Sequence, residues 1–310
     1  MNYSELLDIF KSSLILTNQV FNFLNTTYEK LDDKNKLRHH ILYRMKSTSI
    51  TIFHILTQNL DNPNFVDFSS AAILTRSIIE SYKTFYYLTY PDINESEFKF
   101  RSLMFEIYDI LERQKMVSQL KALDLEQLGE QTDLKELGEQ LDELKNQINK
   151  NEYYKQIELQ NKKNEKYKNL LKKNGKCKNL FSKDFENAVY HTKGCFVEHY
   201  DVLLSRLVKF NSVREQDKEK INKRYRFLYK YLSNFVHISP YSISQPSNSI
   251  SIDDFKKVIL PIIFYLNIAN EDILDAFPEL EEEIQVESNY PDIFKGLEEF
   301  IKFLRCDIIN

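Results

Sequence analysis

Apolar side chains recur at three- and four-residue steps in "SELLDIFKSSLILTNQVFNFL", "HHILYRMKSTSITIFHILTQNL", "SSAAILTRSIIESYKTFYYLTYP", "FEIYDILERQKMVSQL" and "RYRFLYKYLSNFVHIS". On an α-helix that spacing gathers them into one stripe, whereas on a strand it would scatter them over both faces. The pattern predicts a chain that is almost all helix. Breakers fall between the stripes: "DNPNF" (61–65), "YPDINESE" (90–97), "SPYSISQPSNS" (239–249) and "NYPDI" (289–293) each set Pro beside Asn, Asp or Ser and read as loops. No proline occurs between Pro91 and Pro240, a span that strands and turns would normally punctuate. Ser251, followed by Asp253 and Asp254, reads as the start of the next helix with an acidic first turn. The longest apolar run, "VILPIIFYLNIA" (258–269), is far short of the roughly 20 residues a bilayer-spanning helix takes. It reads as a buried core helix, kinked or started at Pro261.

The middle of the chain has a different period. Met116, Leu120, Leu123, Gln127, Glu130, Leu134, Leu137, Leu141, Leu144 and Ile148 alternate steps of four and three, a heptad seam with two polar positions. Residues 116–148 hold eight acids and three lysines (net −5), and residues 149–178 hold ten lysines and three acids (net +7). An acidic helix followed by a basic one, with a turn near "INKNEYY", fits an antiparallel helical hairpin whose arms attract along their flanks. The expected architecture is therefore an all-α helical bundle, 1–115 with 178–310, carrying a coiled-coil hairpin inserted at 116–177. One long helix running out into a solvated lysine tract is the alternative. The lysines, with Tyr153, Tyr154 and Tyr167 among them, also suit a nucleic acid, through counterion release and base stacking.

Composition narrows the function classes. The chain has 310 residues, 42% of them hydrophobic, enough for a substantial core, and a net charge of −4 gives no global pull toward nucleic acid or anionic membrane. Any such affinity must be local. The three cysteines, Cys177, Cys195 and Cys306, form no disulfide framework, and no signal segment precedes "MNYSELLDIFKSS", so a cytoplasmic location without a membrane is expected. In "HTKGCFVEH", His191, Cys195 and His199 would lie at i, i+4 and i+8 of a helix. The outer two are then about 12 Å apart along the axis, so two of the three could share a zinc, whose bonds are about 2.0–2.3 Å, but not all three; no second Cys/His pair supplies the missing ligands, and neither a metal nor a cofactor is expected. No G-x-x-x-x-G-K-[ST], G-x-S-x-G or G-x-G-x-x-G is present, which argues against P-loop and hydrolase-fold chemistry.

What remains is charge inside apolar helices. On a helix, Arg76, Glu80, Lys83 and Tyr87 make one polar stripe, while Ala72, Ile73, Ile78, Ile79, Phe85 and Leu88 cover most of the rest. On "RYRFLYKYLSNFVHISPYS", Tyr225, Tyr229, Ser233 and His237 step by four along one face. Buried charges and a buried imidazole both need partners, so the two faces are expected to meet. Such a network can simply lock helices in register. It can also work as a site, with His237 as general acid or base, Glu80 setting its pKa and Arg76 holding an anionic group such as a phosphate. Ser233 is a weaker candidate, as a nucleophile.

The motifs Arg76-x-x-x-Glu80 in "ILTRSIIESYKTFYYL" and Ser233-x-x-x-His237 in "YKYLSNFVHIS" resemble those of an uncharacterised all-helical bacterial family, of the domain-of-unknown-function kind. More distantly the arrangement is similar to HEPN domains, helical bundles that often dimerise and in many members cut RNA without a metal through an Arg, four to six residues, then His. Here ten residues separate Arg226 from His237, and Lys230 alone occupies the HEPN-like spacing. The resemblance implies a ribonuclease-like protein of bacterial toxin or phage-defence type. His237, Arg76 and Glu80 would then be catalytic, Tyr87, Tyr229, Ser233 and Lys230 would contact an RNA substrate, and a homodimer would be the assembly. The other reading is a non-catalytic interaction module whose hairpin recruits a protein or RNA.

Overall fold

The structure is a computed structural model, describing residues 1–57, 67–90, 93–122, 134–156, 217–236, 251–280, 284 and 290–305. The chain is all-α, and no strand occurs among the described residues. In order the elements are α1 (Tyr3–Thr26), a 3-10 turn (Tyr28–Lys30), α2 (Asp33–Thr57), α3 (Phe68–Thr89), α4 (Glu95–Ala122), α5 (Leu134–Lys150), α6 (Lys218–Val236), α7 (Ile252–Leu274) and α8 (Tyr290–Arg305). They fall into two compact units, Met1–Pro91 with Val197–Asn310, and Asp92–Phe196.

The first unit is built around α7, which packs on α1, α2, α3 and α8. From Val258 to Asn270 every residue of α7 is buried, so this helix is apolar on all sides because it has neighbours on all sides. Its start is set as the sequence suggests: the Ser251 hydroxyl accepts from the Asp254 amide at 3.1 Å, and two acids occupy the first turn. The helix neither starts nor stops at Pro261 but runs through it. The packing that surrounds this stretch offsets the amide hydrogen bond the proline cannot make. "NYPDI" likewise is not a loop, since α8 begins at Tyr290 and puts Pro291 in its first turn, where the missing N–H would have had no helical partner.

α1 lies parallel to α7, with Tyr3 on Phe255, Asn270 donating to the Thr17 hydroxyl at 2.9 Å, and Phe23 on Phe277. α2 returns antiparallel to α1, pairing Phe53 with Phe10 and Lys46 with Asn18. Arg38, buried on α2, donates to the carbonyl of Thr89 at 2.7 Å, satisfying one of the carbonyls that the end of α3 leaves without an intrahelical partner. α6 packs on α3 and α8.

In the second unit α4 packs on α5. Asn151 beyond the end of α5 donates to the Ser96 carbonyl at 2.9 Å, and Tyr153 donates to Glu97 at 2.9 Å, so the start of α4 meets the end of α5 and the two are antiparallel. The buried stripe of α4 is Phe100, Met104, Ile107 and Ile110, and that of α5 is Leu137, Leu141 and Ile148. Of the heptad positions on α5, Leu137, Leu141 and Ile148 are buried and Leu134 and Leu144 half-buried, but Met116 is 61% exposed. The seam's phase does not extend back onto α4, whose stripe follows its own four-and-three steps from Phe100. This unit contains α4 in full, whereas the heptad sets the division at Met116. Asn151 interrupts the helix where the turn in "INKNEYY" was expected, and its side chain accepts from the Tyr154 amide at 3.1 Å to cap a further turn. The lysine-rich return arm from residue 157 on lies outside the described residues.

Candidate functional site

The polar stripe of α3 meets the tyrosine face of α6. Arg76 Nε donates to the Tyr229 hydroxyl at 3.3 Å, and the guanidinium lies 5.1 Å from the centre of the Tyr229 ring. The same hydroxyl donates to Glu80 Oε1, and Lys83 Nζ stands 3.2 Å from Glu80 Oε2. Tyr229 therefore stands between the arginine and the glutamate, one hydrogen bond to each. Helical spacing produces this directly, because i, i+4 and i+7 on α3 stack Arg76, Glu80 and Lys83 along one side. The Nη groups of Arg76 make no hydrogen bond among the described residues. The cluster is not sealed: the Glu80 side chain is 38% exposed and Lys83 13%.

Burial and the Glu80 carboxylate push the Tyr229 phenol up to about 12, with Arg76 acting in the opposite direction. Its proton is therefore firmly held at neutral pH. Behind it lies a second, buried layer of tyrosines. Tyr225 and Tyr265 share a hydrogen bond of 2.6 Å, and burial raises the pKa of both. The Tyr265 ring is 5.3 Å from that of Tyr82, whose hydroxyl donates to buried Asp272 at 2.7 Å. Burial lowers the pKa of Arg38, and charge from Asp272 opposes that shift only in part.

Of the residues singled out by sequence, Arg76, Glu80 and Tyr229 come together, and Ser233 lies one turn further along α6. The Ser233 hydroxyl donates to the Tyr229 carbonyl at 2.7 Å, a bond within its own helix. Lys230 is exposed, about 100° round the helix from Tyr229. Tyr87 is only 3% exposed and presents little surface to a substrate. His237 is the residue after the end of α6 and lies outside the described residues, as does "HTKGCFVEH". Neither Tyr265, a single tyrosine in the apolar run of α7, nor Asp272, just past that run beside Glu271, stood out; the signal available was the acid pair in "NIANEDIL". Among the described residues no three His, Cys, Asp or Glu side chains gather as a metal site.

A family model described as a family of unknown function (DUF5677) matches residues 35–256. The match takes in Arg76, Glu80, Tyr229, Ser233 and His237, and leaves out Tyr265 and Asp272. No curated protein and no solved structure matches the chain.

Proposed function

The chain belongs to the DUF5677 family of unknown function, and we propose that within it this protein is a metal-independent, HEPN-like endoribonuclease of bacterial toxin or phage-defence type. His237 is the acid/base and Arg76 the phosphate clamp. The observation that carries the reading is the state of Arg76: Tyr229 fixes its Nε, while the Nη fork makes no hydrogen bond among the described residues. A planar fork held at one edge suits a phosphodiester, to which it can donate two parallel hydrogen bonds. Glu80, itself paired with Lys83, accepts from the Tyr229 hydroxyl and holds it in place.

In the step proposed, the ribose 2′-oxygen attacks the adjacent phosphorus and loses its proton to His237. The bond from phosphorus to the 5′-oxygen breaks, and the imidazolium returns a proton to that oxygen. The products are a 2′,3′-cyclic phosphate and a 5′-hydroxyl, with no change of oxidation state. Arg76 offsets the charge that gathers on the phosphoryl oxygens. The test is expression of the wild type beside His237→Ala and Arg76→Ala, scoring host growth and the integrity of cellular RNA. Growth arrest with fragmented RNA in the wild type, lost in both variants at unchanged protein level, is the expected result. Intact RNA in cells that hold abundant folded wild type overturns the reading. It leaves the cluster as a helix lock, which the buried Tyr225–Tyr265 and Tyr82–Asp272 pairs behind it favour.

A further inference from the structure

From Lys34 to Thr57 the chain carries five Lys or Arg and three His and not one Asp or Glu. In a protein of net charge −4 such a run is a local exception. Nor does the neighbouring helix supply acids: α1 is uncharged from Ser12 to Thr26. Acids lie toward the N-terminal end of this face, at Glu29, Asp32 and Asp33, and at the end of α7, where Asp272 and Asp275 act on Arg38. On α2, Lys36, His40, Tyr43, Arg44 and Lys46 fall within about 160° of one another around the helix axis. Lys34 and Arg38 lie on the opposite side of the helix, so three of the five Lys and Arg share this face with His40.

Aromatic rings interleave with these cations. Tyr43 lies 5.6 Å from Phe21, Phe21 stacks on His39 at 4.8 Å, His39 is 5.0 Å from Tyr28, and Tyr28 is 5.6 Å from His40. Lys46 Nζ stands 3.7 Å above the Phe21 ring, and Lys36 Nζ is 5.6 Å from the Tyr28 ring. The inner rings are covered, but Tyr43 at the edge of the row is 54% exposed, and His40 and Arg44 are exposed beside it. Arg44 has no carboxylate partner among the described residues.

We propose that this face of α1 and α2 is a binding track for single-stranded nucleic acid, with bases stacking on Tyr43 and His40 and phosphates meeting Lys36, Arg44 and Lys46. Cations for the backbone beside π-faces for the bases are what such strands need, and a single strand leaves its bases free to stack. A second copy of this chain fits the face less well, because a two-fold interface would set the basic stripe against itself. The inference deepens the ribonuclease reading by giving the RNA a second foothold on the same unit. It can stand or fall separately, because binding is measured without cleavage.

The experiment uses the full chain carrying His237→Ala, so that no strand is consumed. Anisotropy of a fluorescent oligouridylate is titrated with this protein and with versions adding Tyr43→Ala or Arg44→Glu, each checked by thermal melting. Both changed side chains are exposed, so melting temperatures should not move. Tyr43→Ala should weaken binding about ten-fold. Arg44→Glu should weaken it at least as much and lower the salt slope by roughly 0.7 or more. An oligodeoxythymidylate that binds equally supports the track and shows that it does not read the 2′-hydroxyl; weaker binding assigns it to RNA. Heparin, which has charge but no bases, should respond to Arg44→Glu and not to Tyr43→Ala. Oligouridylate binding that ignores Tyr43→Ala makes this a plain polyanion surface and overturns the proposal. Absence of binding overturns it too, as does a wild-type dimer in sedimentation that Tyr43→Ala dissociates.

Discussion

Tyr229 is the residue on which the α3–α6 contact turns. Its hydroxyl is at once an acceptor for Arg76 and a donor to Glu80, so Tyr229→Phe removes two charge-assisted hydrogen bonds while keeping the ring. The expected loss is about 1–3 kcal/mol in urea denaturation, moderated by water that reaches the exposed side of Glu80. The phenol also sets a pH dependence. In the unfolded chain it ionises near 10, whereas in the fold it keeps its proton to about 12. Between those values the unfolded state binds fewer protons, so stability should fall as pH rises, and Tyr229→Phe should remove part of that slope. An unchanged alkaline slope would mean that Glu80 and burial do not act on Tyr229 as described. His39 has the opposite sign. Burial first, then His40 and Lys46, lower its pKa below the ordinary histidine value. Its neutral form fits the fold, and as pH falls through about 6.5 the unfolded chain takes up a proton that the fold resists. Stability is therefore full above that pH and declines below it. His39→Phe, which keeps the stack on Phe21, should flatten the acid limb of melting temperature against pH; a limb of unchanged steepness would contradict the assignment.

At the scale of elements the helices were legible because their apolar stripes are one-sided, as on α1 and α5, and because caps such as Ser251 announce themselves. Less could be read where packing on every side overrides a local signal. Pro261 would end an exposed helix but lies inside α7, and Pro291 opens α8 instead of a loop. The heptad was legible over α5, yet it could not show that the partner stripe on α4 begins at Phe100 and leaves Met116 exposed, since register between helices is a tertiary property. The α3–α6 meeting of Arg76 and Glu80 with Tyr229 followed from the need of charges for partners. Asp272 was missed because its partner, Tyr82, is 190 residues away in sequence. Helix packing also explains Gly296. A Cβ there would come within 2.5 Å of Ile263 Cγ2 and 2.9 Å of Ile9 Cγ2, where α8 crosses α7 and α1. Gly296→Ala should accordingly destabilise by about 1–3 kcal/mol in spite of alanine's higher helix propensity. A stabilised variant would show that these helices do not approach so closely.

For the whole molecule the division into two compact units is the organising fact. The first has its own core around α7, and the second buries Phe100, Met104 and Ile107 of α4 together with Leu137, Leu141 and Ile148 of α5. Cutting at 116 and 177, where the heptad alone would direct, removes α5 and uncovers the α4 stripe. Replacing all of 92–196 by a Gly/Ser linker should instead leave a soluble chain that melts cooperatively, with the helical signature of α1–α3 and α6–α8. Insolubility of that chain would show that the first unit depends on the second. No helix among the described residues is long and apolar enough to cross a membrane.

Whether Arg76, Glu80, Tyr229 and His237 act as one catalytic site is tested most directly by the ends of the RNA they leave. Purified wild type, His237→Ala and Arg76→Ala are each incubated with end-labelled single-stranded RNA in the presence of a chelator, and the termini of the products are mapped. The expected ends from the wild type are 2′,3′-cyclic phosphate and 5′-hydroxyl, undiminished by the chelator. None are expected from His237→Ala, and Arg76→Ala should lose at least about a hundred-fold, the range found when a group that stabilises transition-state charge is removed. Products ending in 3′-hydroxyl and 5′-phosphate, or cleavage that survives His237→Ala, would contradict the catalytic reading.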